Sequence, residues 1–349
     1  MTAARTSRTA ALVALGAVTL AVGTARLHAD DNPDQTRWFR YLMGTSIRVE
    51  VYGGTLGDRQ AAAAEAFGAV AEVDRLMSDY RSDSELTRLN QTAAHGAVPV
   101  SAPLLSVLEA ADRVSRASAG AFDVTVGPLV RLWGFKDKRA HMPTAAELAV
   151  VRDVVDYRNV ILDRAAHSVR FARLGVQIDL GGIAKGFAVE VAAASLRRRG
   201  LSGVVDAGGN QFMVGLPPGK PRWSVGLSRP GGADALLGVL DLAGGALSTS
   251  SDASNFLTAG GKTYGHLLDP RSLQPSDASL SVTIVSPDGT LSDALSKAVF
   301  VLGPRAGLEL LASFPHTAGI VAYQLADGRL AVAVSPELAA AFHRAPDVR

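Results

Sequence analysis

The stretch VQIDLGGIAKGFAVEVAAASLRRRG, residues 176–200, joins an apolar run to a helical pattern through a pair of glycines. The run carries one acid, Asp179, breaks at Gly181 and Gly182, and continues into a helix whose first turn carries Lys185. The first N–H groups of a helix lack intrahelical partners and carry partial positive charge, which suits a bound phosphate. The same pattern is equally typical of an ordinary strand-to-helix connection. We interpret it as a strand, a glycine turn and a helix.

The composition is that of a globular protein without cysteines. The chain has 349 residues, of which 48% are hydrophobic and 19% are charged. This length is enough for one large domain or two ordinary ones with a real core. The absence of cysteine excludes disulfides, thiolate metal sites, a cysteine nucleophile and a lipid-modified cysteine.

The first 29 residues have the layout of a secretory signal peptide. Two arginines precede an apolar run over residues 10–22, and small residues follow it. The run is short for a bilayer span, and an uncleaved membrane anchor is the alternative. Removing residues 1–29 deletes three arginines and no acid, so the net charge changes from +2 to −1. The small excess of basic residues in the full sequence therefore comes from the leader and does not indicate nucleic-acid binding. We expect a linker over residues 30–36 and a single domain over residues 37–345.

The rest of the chain predicts helices and strands that are interspersed, with neighbouring strands often joined by short turns. This organisation favours an α+β class with mixed or antiparallel sheets flanked by helices. Residues 78–91 are interpreted as a polar segment, and residues 121–135 as an irregular apolar segment that lines a site. Helices are expected from residues 58, 101, 144, 292, 304 and 336 and directly after the glycine turn at 181–182. Strands are expected over 46–52, 160–162, 169–171, 176–180, 223–227, 236–242 and 280–285, and residues 203–215 are interpreted as a strand, a glycine turn and a second strand.

Four clusters place polar groups beside turns. They are Asp123 in FDVTVGP, Asp179 with Lys185, His266 with Asp269 in GHLLDP, and Asp293 with Lys297 in LSDALSK. Each has a structural alternative. Asp179 could cap a turn, His266 could be an ordinary turn histidine, and Asp293 could stabilise a helix start or pair with a lysine four residues on. Spacing alone indicates a protein that binds an anionic ligand, and it names no ligand.

Taken together and in order, eight motifs resemble the ApbE-like family of FAD:protein FMN transferases. The resemblance runs from Met43 to the C-terminal region and implies an ApbE-like fold. The motifs are MGTSIRV, MSDYRSDSELTRLN, AFDVTVGPLVRLWGF, IDLGGIAKGFAVE, VDAGGNQFMVG, STSSDASNF, YGHLLDPRSLQP and SVTIVSPDGTLSDALSKAVFVLG.

The resemblance implies an exported flavin transferase of the periplasm or cell envelope. Such an enzyme binds FAD and Mg²⁺ and moves FMN to a Ser or Thr hydroxyl of an acceptor protein. Contact with a membrane is then expected only through the leader or the acceptor. The alternatives are an FAD pyrophosphatase that gives FMN and AMP, and a flavin-binding protein with impaired turnover.

The resemblance also assigns roles residue by residue. The residues implied to hold the flavin nucleotide or FAD are Met43, Ser78, Asp79, Tyr80, Asp123, Asp179, Lys185 and His266. The implied metal ligands are the carbonyl of Gly182, the carboxylate of Asp293 and, as the nearest hydroxyl, Ser296. The residues expected to act in catalysis are His266, Asp293 and Lys297.

Three departures from the family pattern affect these roles. The pattern Asp-x-x-x-Thr after the metal acid places Lys297 where a threonine hydroxyl is expected. A protonated ammonium cannot ligate a metal, and its charge weakens metal binding nearby. Lys297 therefore either replaces the charge of the metal at the diphosphate or limits turnover. The patterns Thr-Ser-Gly and Asp-Pro-x-Thr-Gly each lose their glycine, at Ser251 and Leu273.

Overall fold

Helices and sheets are both prominent in the structure, a computed structural model that describes residues 35–137, 141–231, 235–252, 256–259, 262–346 and 348. The predicted leader lies outside these residues. No helix within these ranges is long and apolar enough to cross a membrane. The α-helices are α1 (Leu56–Met77), α2 (Glu85–Thr92), α3 (Ala102–Ala117), α4 (Gly127–Leu132), α5 (Ala145–Arg152), α6 (Ala184–Arg198) and α7 (Gly289–Leu311).

Within the described residues, the strands belong to one large sheet and four small ones. In chain order they are β1 (Gln35–Leu42), β2 (Thr45–Tyr52), β3 (Val98–Pro99), β4 (Val160–Asp163), β5 (Ser168–Phe171), β6 (Ser202–Ala207), β7 (Asn210–Val214), β8 (Trp223–Ser228), β9 (Leu236–Leu242), β10 (Gly245–Ser251), β11 (Phe256–Ala259), β12 (Lys262–Gly265), β13 (Leu268–Asp269), β14 (Gln274–Pro275), β15 (Ser281–Ser286), β16 (Ala318–Gln324), β17 (Leu330–Val334) and β18 (Phe342–Arg344). The first strand begins at Gln35, inside the segment expected to be a linker.

The large sheet has eight strands in the order β1-β2-β6-β7-β10-β15-β16-β17. Every neighbouring pair in it is antiparallel. Short turns join several of these strands, as the sequence predicts, and the α+β class with antiparallel sheets is confirmed. One end of the sheet brings together the start of β2, the end of β6, the start of β7 and the end of β10.

Each face of the sheet is covered by a different layer. On β6 and β7, Val205 and Phe212 pack into the main core with the helices. Their neighbours Val204 and Met213 pack into a second core that contains residues of β8, β9 and β18. Because successive side chains of a strand point to opposite faces, this alternation places one apolar layer on each side of the sheet.

Two acids hold α6 and α7 together, and each caps the other helix. Asp293 on α7 accepts the N–H of Gly186 in the first turn of α6, with 2.8 Å between nitrogen and Oδ2. Glu190 on α6 accepts the N–H groups of Gly289 and Thr290 at the start of α7, at 2.9 and 3.3 Å. These N–H groups have no acceptor within their own helix, so each acid accepts hydrogen bonds from donors that would otherwise be unpaired. We call this arrangement the reciprocal cap.

The reciprocal cap requires a close approach of two backbones. A Cβ atom at Gly186 would lie 2.0 Å from the carbonyl oxygen of Gly289, and one at Gly289 would lie 2.6 Å from the carbonyl oxygen of Gly186. Any side chain at either position would push the helices apart. The glycine after Lys185 in the sequence is thus needed for packing.

The prediction of a strand over residues 176–180 is wrong. The N–H of Ile178 donates to Oδ1 of Asn90, and its carbonyl accepts from Nδ2 of the same side chain. The N–H of Asp179 donates to the carbonyl of Val124 at 2.7 Å. Because a side chain and a turn bind these backbone groups, the segment joins no sheet.

Two segments for which the sequence predicted no helix contain helices. Residues 121–135 form a 3₁₀ turn, Val124–Val126, followed by α4, which has a proline in its first turn. The polar segment 78–91 contains most of α2, whose N-cap is Ser84. The sequence carries the signal for α2, because a serine side chain can accept the first open N–H groups of a helix.

The C-terminal part differs from the sequence prediction at two helix starts. Helix α7 begins at Gly289 with Asp288 as its N-cap, so Asp293 lies in the second turn and not at the helix start. Gly303 has a φ of 78° and interrupts this helix, as the sequence indicates. The last predicted helix is a single 3₁₀ turn, Pro336–Leu338, and is followed by β18.

We predict that Gly186→Ala destabilises the protein by about 1–3 kcal/mol, because the added methyl group overpacks the α6–α7 crossing. Urea denaturation measures this change. The control is Gly68→Ala on α1, an exposed helical position where an added Cβ meets nothing within 4 Å. The control should be neutral or stabilise by up to about 1 kcal/mol. Equal stability of the two variants would contradict the close approach.

Candidate functional site

The glycine turn before α6 carries the first part of the site. Oδ1 of Asp179 accepts the N–H of Gly181 at 2.7 Å, so this acid does cap the turn, the structural role considered from the sequence. Burial, and then the nearby carboxylate of Asp79, raise the pKa of Asp179, while Lys136 and Lys185 oppose the rise. Nζ of Lys185 donates to the carbonyl of Gly181 at 3.1 Å, which turns this side chain back over the turn.

A buried ion pair on α7 forms the second part of the site. Asp293 is completely buried, and its Oδ1 contacts the ammonium group of Lys297 one helical turn on. The i,i+4 pair considered from the sequence is therefore present. Burial alone would raise the pKa of Asp293, but the ammonium groups of Lys297 and Lys185 bring it below its ordinary value.

The two parts lie next to each other. A Cβ atom built on Gly182 would lie 3.7 Å from Cγ of Lys297 and 3.2 Å from the ring of Phe122. The pKa of Lys297 is lowered by burial and, more weakly, by the charge of Lys185, whereas Asp293 raises it. The structure thus brings together the glycine turn, Lys185, Asp293 and Lys297.

Ser296 also lies on α7, but its hydroxyl is bonded within the protein. It is completely buried, donates to the carbonyl of Asp293 at 2.7 Å, and lies 2.7 Å from the hydroxyl of Ser250 on β10. One turn earlier, Ser292 makes the same kind of contact with Ser248. This ladder of hydroxyl pairs fixes α7 against β10.

A third group surrounds the end of α1. Ser78 is the C-cap residue of α1, and its hydroxyl accepts the N–H of Tyr80 at 3.4 Å. Asp79 pairs with Lys136 at 2.6 Å, and the same ammonium lies 4.8 Å from the ring centre of Tyr80. Tyr80 as a residue is 77% exposed, so its ring can offer an aromatic face to a planar ligand. Sequence reasoning missed Lys136, although it follows the aromatic segment that was expected to line a site.

Asp123 has an internal role in the structure. It is buried; Oδ1 accepts from the N–H and hydroxyl of Thr125, and Oδ2 accepts the N–H of Tyr157, each at 2.7 Å. Burial raises the pKa of Asp123 to about 6, although these hydrogen bonds oppose the rise. The acid ties the 3₁₀ turn before α4 to the segment before β4.

Met43 occupies the turn between β1 and β2 in an unusual conformation. Its φ is 52° and that of Gly44 is 71°. The hydroxyl of Tyr41 donates to the carbonyl of Gly44 at 3.0 Å and closes the turn. A positive φ is uncommon for a residue with a Cβ, so this turn is held in a strained form beside the end of the sheet.

His266 follows β12 and is held by an acid that the sequence analysis did not single out. Its Nδ1 lies 3.4 Å from Oδ1 of Asp252, which comes directly after β10. The same carboxylate oxygen accepts the N–H of Leu267, also at 3.4 Å. An acid on one ring nitrogen fixes the orientation and tautomer of an imidazole, so the other nitrogen is left to face a ligand.

Leu273 shows how the chain accommodates one lost glycine. It keeps a left-handed conformation, with a φ of 62°, although it carries a side chain. That side chain is buried in a small core with Trp133, whose Nε1 donates to the carbonyl of Leu273 at 3.1 Å. The turn thus retains the backbone that a glycine would adopt, and burial offsets strain of about 1–2 kcal/mol.

The assembled site combines oxygen acceptors with cations. Lys185 and Lys297 lie at the glycine turn, and the first turn of α6 adds its partial positive charge. Within the described ranges, no group of three or more His, Cys, Asp or Glu residues could hold a metal ion. The arrangement suits a phosphate-bearing ligand with a planar aromatic part.

Known proteins resemble this chain over most of its length. Residues 43–321 match the ApbE family. The FAD:protein FMN transferase of Treponema pallidum is 34% identical over 293 residues, which cover 78% of this chain and 80% of the relative. That of Klebsiella pneumoniae is 31% identical over 273 residues, covering 77% and 83%.

Solved structures show the same fold. The crystal structure of the ApbE protein from Thermotoga maritima superposes with a TM-score of 0.78 at 29% identity, covering 86% of this chain and 97% of that one. The flavin transferase ApbE from Vibrio cholerae gives a TM-score of 0.78 at 27% identity, covering 87% and 98%.

We predict that Asp123 contributes a pH dependence to stability that Asp123→Asn removes. The folded state binds this proton more tightly than the unfolded state, whose pKa is the ordinary 3.8, so the free energy of unfolding falls as pH rises towards 6. Between pH ~5 and ~7, the wild type should lose about 1 kcal/mol more than the variant. Urea denaturation at each pH measures the difference.

The control for this prediction is Asp327→Asn. Hydrogen bonds from Arg329 lower the pKa of the exposed Asp327, so it is ionised in both states above pH ~5. The difference between wild type and control should therefore stay constant over the same range. A constant difference for Asp123→Asn as well would contradict the raised pKa.

Proposed function

This chain belongs to the ApbE family, and we propose that it is a transferase that moves FMN from FAD to a hydroxyl group of an acceptor protein. The observation that carries the proposal is the pair of ammonium groups, Lys185 and Lys297, at the Gly181–Gly182 turn. A diphosphate bound there would face two cations and the N-terminus of α6. The relatives that carry the transferase name match most of this chain and most of their own length.

The proposal assigns the FAD contacts to the residues that surround this turn. Tyr80 has an exposed ring suited to packing on the flavin, and the Asp79–Lys136 pair lies beside it. Asp179 and Lys185 would contact the diphosphate side of the ligand. We assign three further residues to the lining of the nucleotide pocket: Met43, Ser78 and Asp123.

The reaction transfers a phosphoryl-linked flavin. The oxygen of an acceptor Ser or Thr attacks the phosphorus of the FMN part, and the bond from that phosphorus to the bridging oxygen breaks. AMP leaves with that oxygen. The proton of the hydroxyl passes to Nε2 of His266, whose Nδ1 is held by Asp252. The lysines balance the negative charge that builds up on the phosphate oxygens.

Mg²⁺ is the metal that the family implies for this site. Mg²⁺ prefers oxygen ligands in an octahedral arrangement, and the Asp293 carboxylate and Gly182 carbonyl are of that type. However, each oxygen of Asp293 already has a partner, Gly186 or Lys297, and the hydroxyl of Ser296 is bonded internally. These side chains do not fit a magnesium ion as they stand, and no step above depends on one.

We further propose the setting in which the enzyme works. Residues 1–29 would direct export to the periplasm or cell envelope, and residues 37–345 would form a single catalytic domain. The acceptor would then be an exported or membrane-facing protein with a flavinylated Ser or Thr. The layout of the N-terminal sequence supports this assignment.

The test incubates the purified protein with FAD and acceptor proteins, with and without Mg²⁺. Mass spectrometry should show FMN attached to a hydroxyl of the acceptor, and AMP should appear in equal amount. AMP without a modified acceptor would identify water as the acceptor and the protein as a pyrophosphatase. FAD that stays intact with all acceptors would refute the transferase.

We predict that Lys185→Met weakens FAD binding by about tenfold or more, because a cation facing the diphosphate is lost. Quenching of flavin fluorescence measures the dissociation constant. Lys220→Met is the matched control, because Lys220 is exposed in the connection between β7 and β8 and its charge change is the same. Equal effects of both variants would show that only the overall charge matters.

A further inference from the structure

Both carboxylate oxygens of Asp293 are bound by groups of the protein. Oδ2 accepts the N–H of Gly186, and Oδ1 contacts the ammonium of Lys297. The acid is completely buried, whereas the side chain of Lys297 is 18% exposed. Lys297 thus contacts a buried acid with its ammonium group and lies beside the glycine turn, where its side chain is partly exposed.

A divalent cation would compete with this ammonium for the same oxygen. An ammonium carries donors only, so Lys297 cannot become a metal ligand while protonated. A doubly charged ion beside it would be repelled by Lys297 and by Lys185, which already interacts with both members of the pair. If a metal ion displaced the ammonium of Lys297 from Asp293, a largely buried ammonium would be left without its partner, which is costly.

The same ammonium is suited to a phosphate. It has three N–H donors, and the contact with Asp293 uses one of them. Cγ of Lys297 lies within 4 Å of the position of a Cβ on Gly182, at the turn that begins α6. The charge of Lys297 therefore lies where the diphosphate of the proposed ligand would meet the helix N-terminus.

We propose that Lys297 is the built-in counter-ion of this site, so that the protein binds the FAD diphosphate without Mg²⁺. Asp293 then acts as a positioning residue that fixes the ammonium on α7 and caps α6. The inference rests on the proposed function, because it takes the diphosphate of FAD as the ligand.

The first test needs no variant. Titration of wild-type protein with Mn²⁺, followed by electron paramagnetic resonance in the absence of FAD, should show no stoichiometric metal site. The dissociation constant for FAD should differ by less than about threefold between excess EDTA and excess Mg²⁺. One bound Mn²⁺ per chain, or a larger gain in FAD affinity with Mg²⁺, overturns the inference and leaves the transferase proposal intact.

The second test removes the built-in charge with Lys297→Thr. This variant should bind FAD about tenfold or more weakly in EDTA, bind Mn²⁺ at Asp293, and recover FAD affinity with Mg²⁺. Lys220→Thr is the matched control and should behave as the wild type in both media. Wild-type affinity of Lys297→Thr in EDTA would refute the role of Lys297.

A double variant that removes both charges controls for the chance that Lys297→Thr fails to fold. Asp293→Asn with Lys297→Met removes both charges together and leaves no buried charge unpaired. It should bind FAD weakly in EDTA and should gain nothing from Mg²⁺; FAD affinity equal to the wild type in EDTA would count against the inference. Failure of the wild type to bind FAD in either medium would refute the inference and the transferase proposal together.

Discussion

The site depends on one buried carboxylate that two helices share. Asp293 is inaccessible to solvent, so its charge must be balanced inside the protein, and Gly186 and Lys297 supply the balance. The first partner fixes the start of α6, and the second fixes a cation at the glycine turn. Glu190 acts in the opposite direction on the start of α7. Helix packing and local charge are therefore set by the same few atoms.

Sequence patterns predicted those parts of the fold that depend on residues close together in the chain. The alternation of β2, the capping box that opens α5 and the interruption of α7 at Gly303 are all confirmed. The strand predicted over residues 176–180 failed because its backbone bonds to Asn90, a residue remote in sequence. Apolar periodicity carries no information about such a partner.

The candidate site was predictable to a similar degree. The glycine turn, Lys185 and the Asp293–Lys297 pair follow from local spacing, and the structure brings them together. Asp252 and Lys136 were missed because their importance comes from residues distant in sequence, His266 and Asp79. The close approach of Gly186 to Gly289 was equally invisible, since a glycine inside a helical pattern gives no sign of what it faces.

The left-handed leucine after β13 has a consequence for exchanging parts between family members. Leu273 fills a small core beneath Trp133 while its backbone follows the path of a glycine. A loop grafted from a glycine-containing relative would match the backbone but leave a void under the indole. The turn and the pocket beneath it therefore form one exchangeable unit.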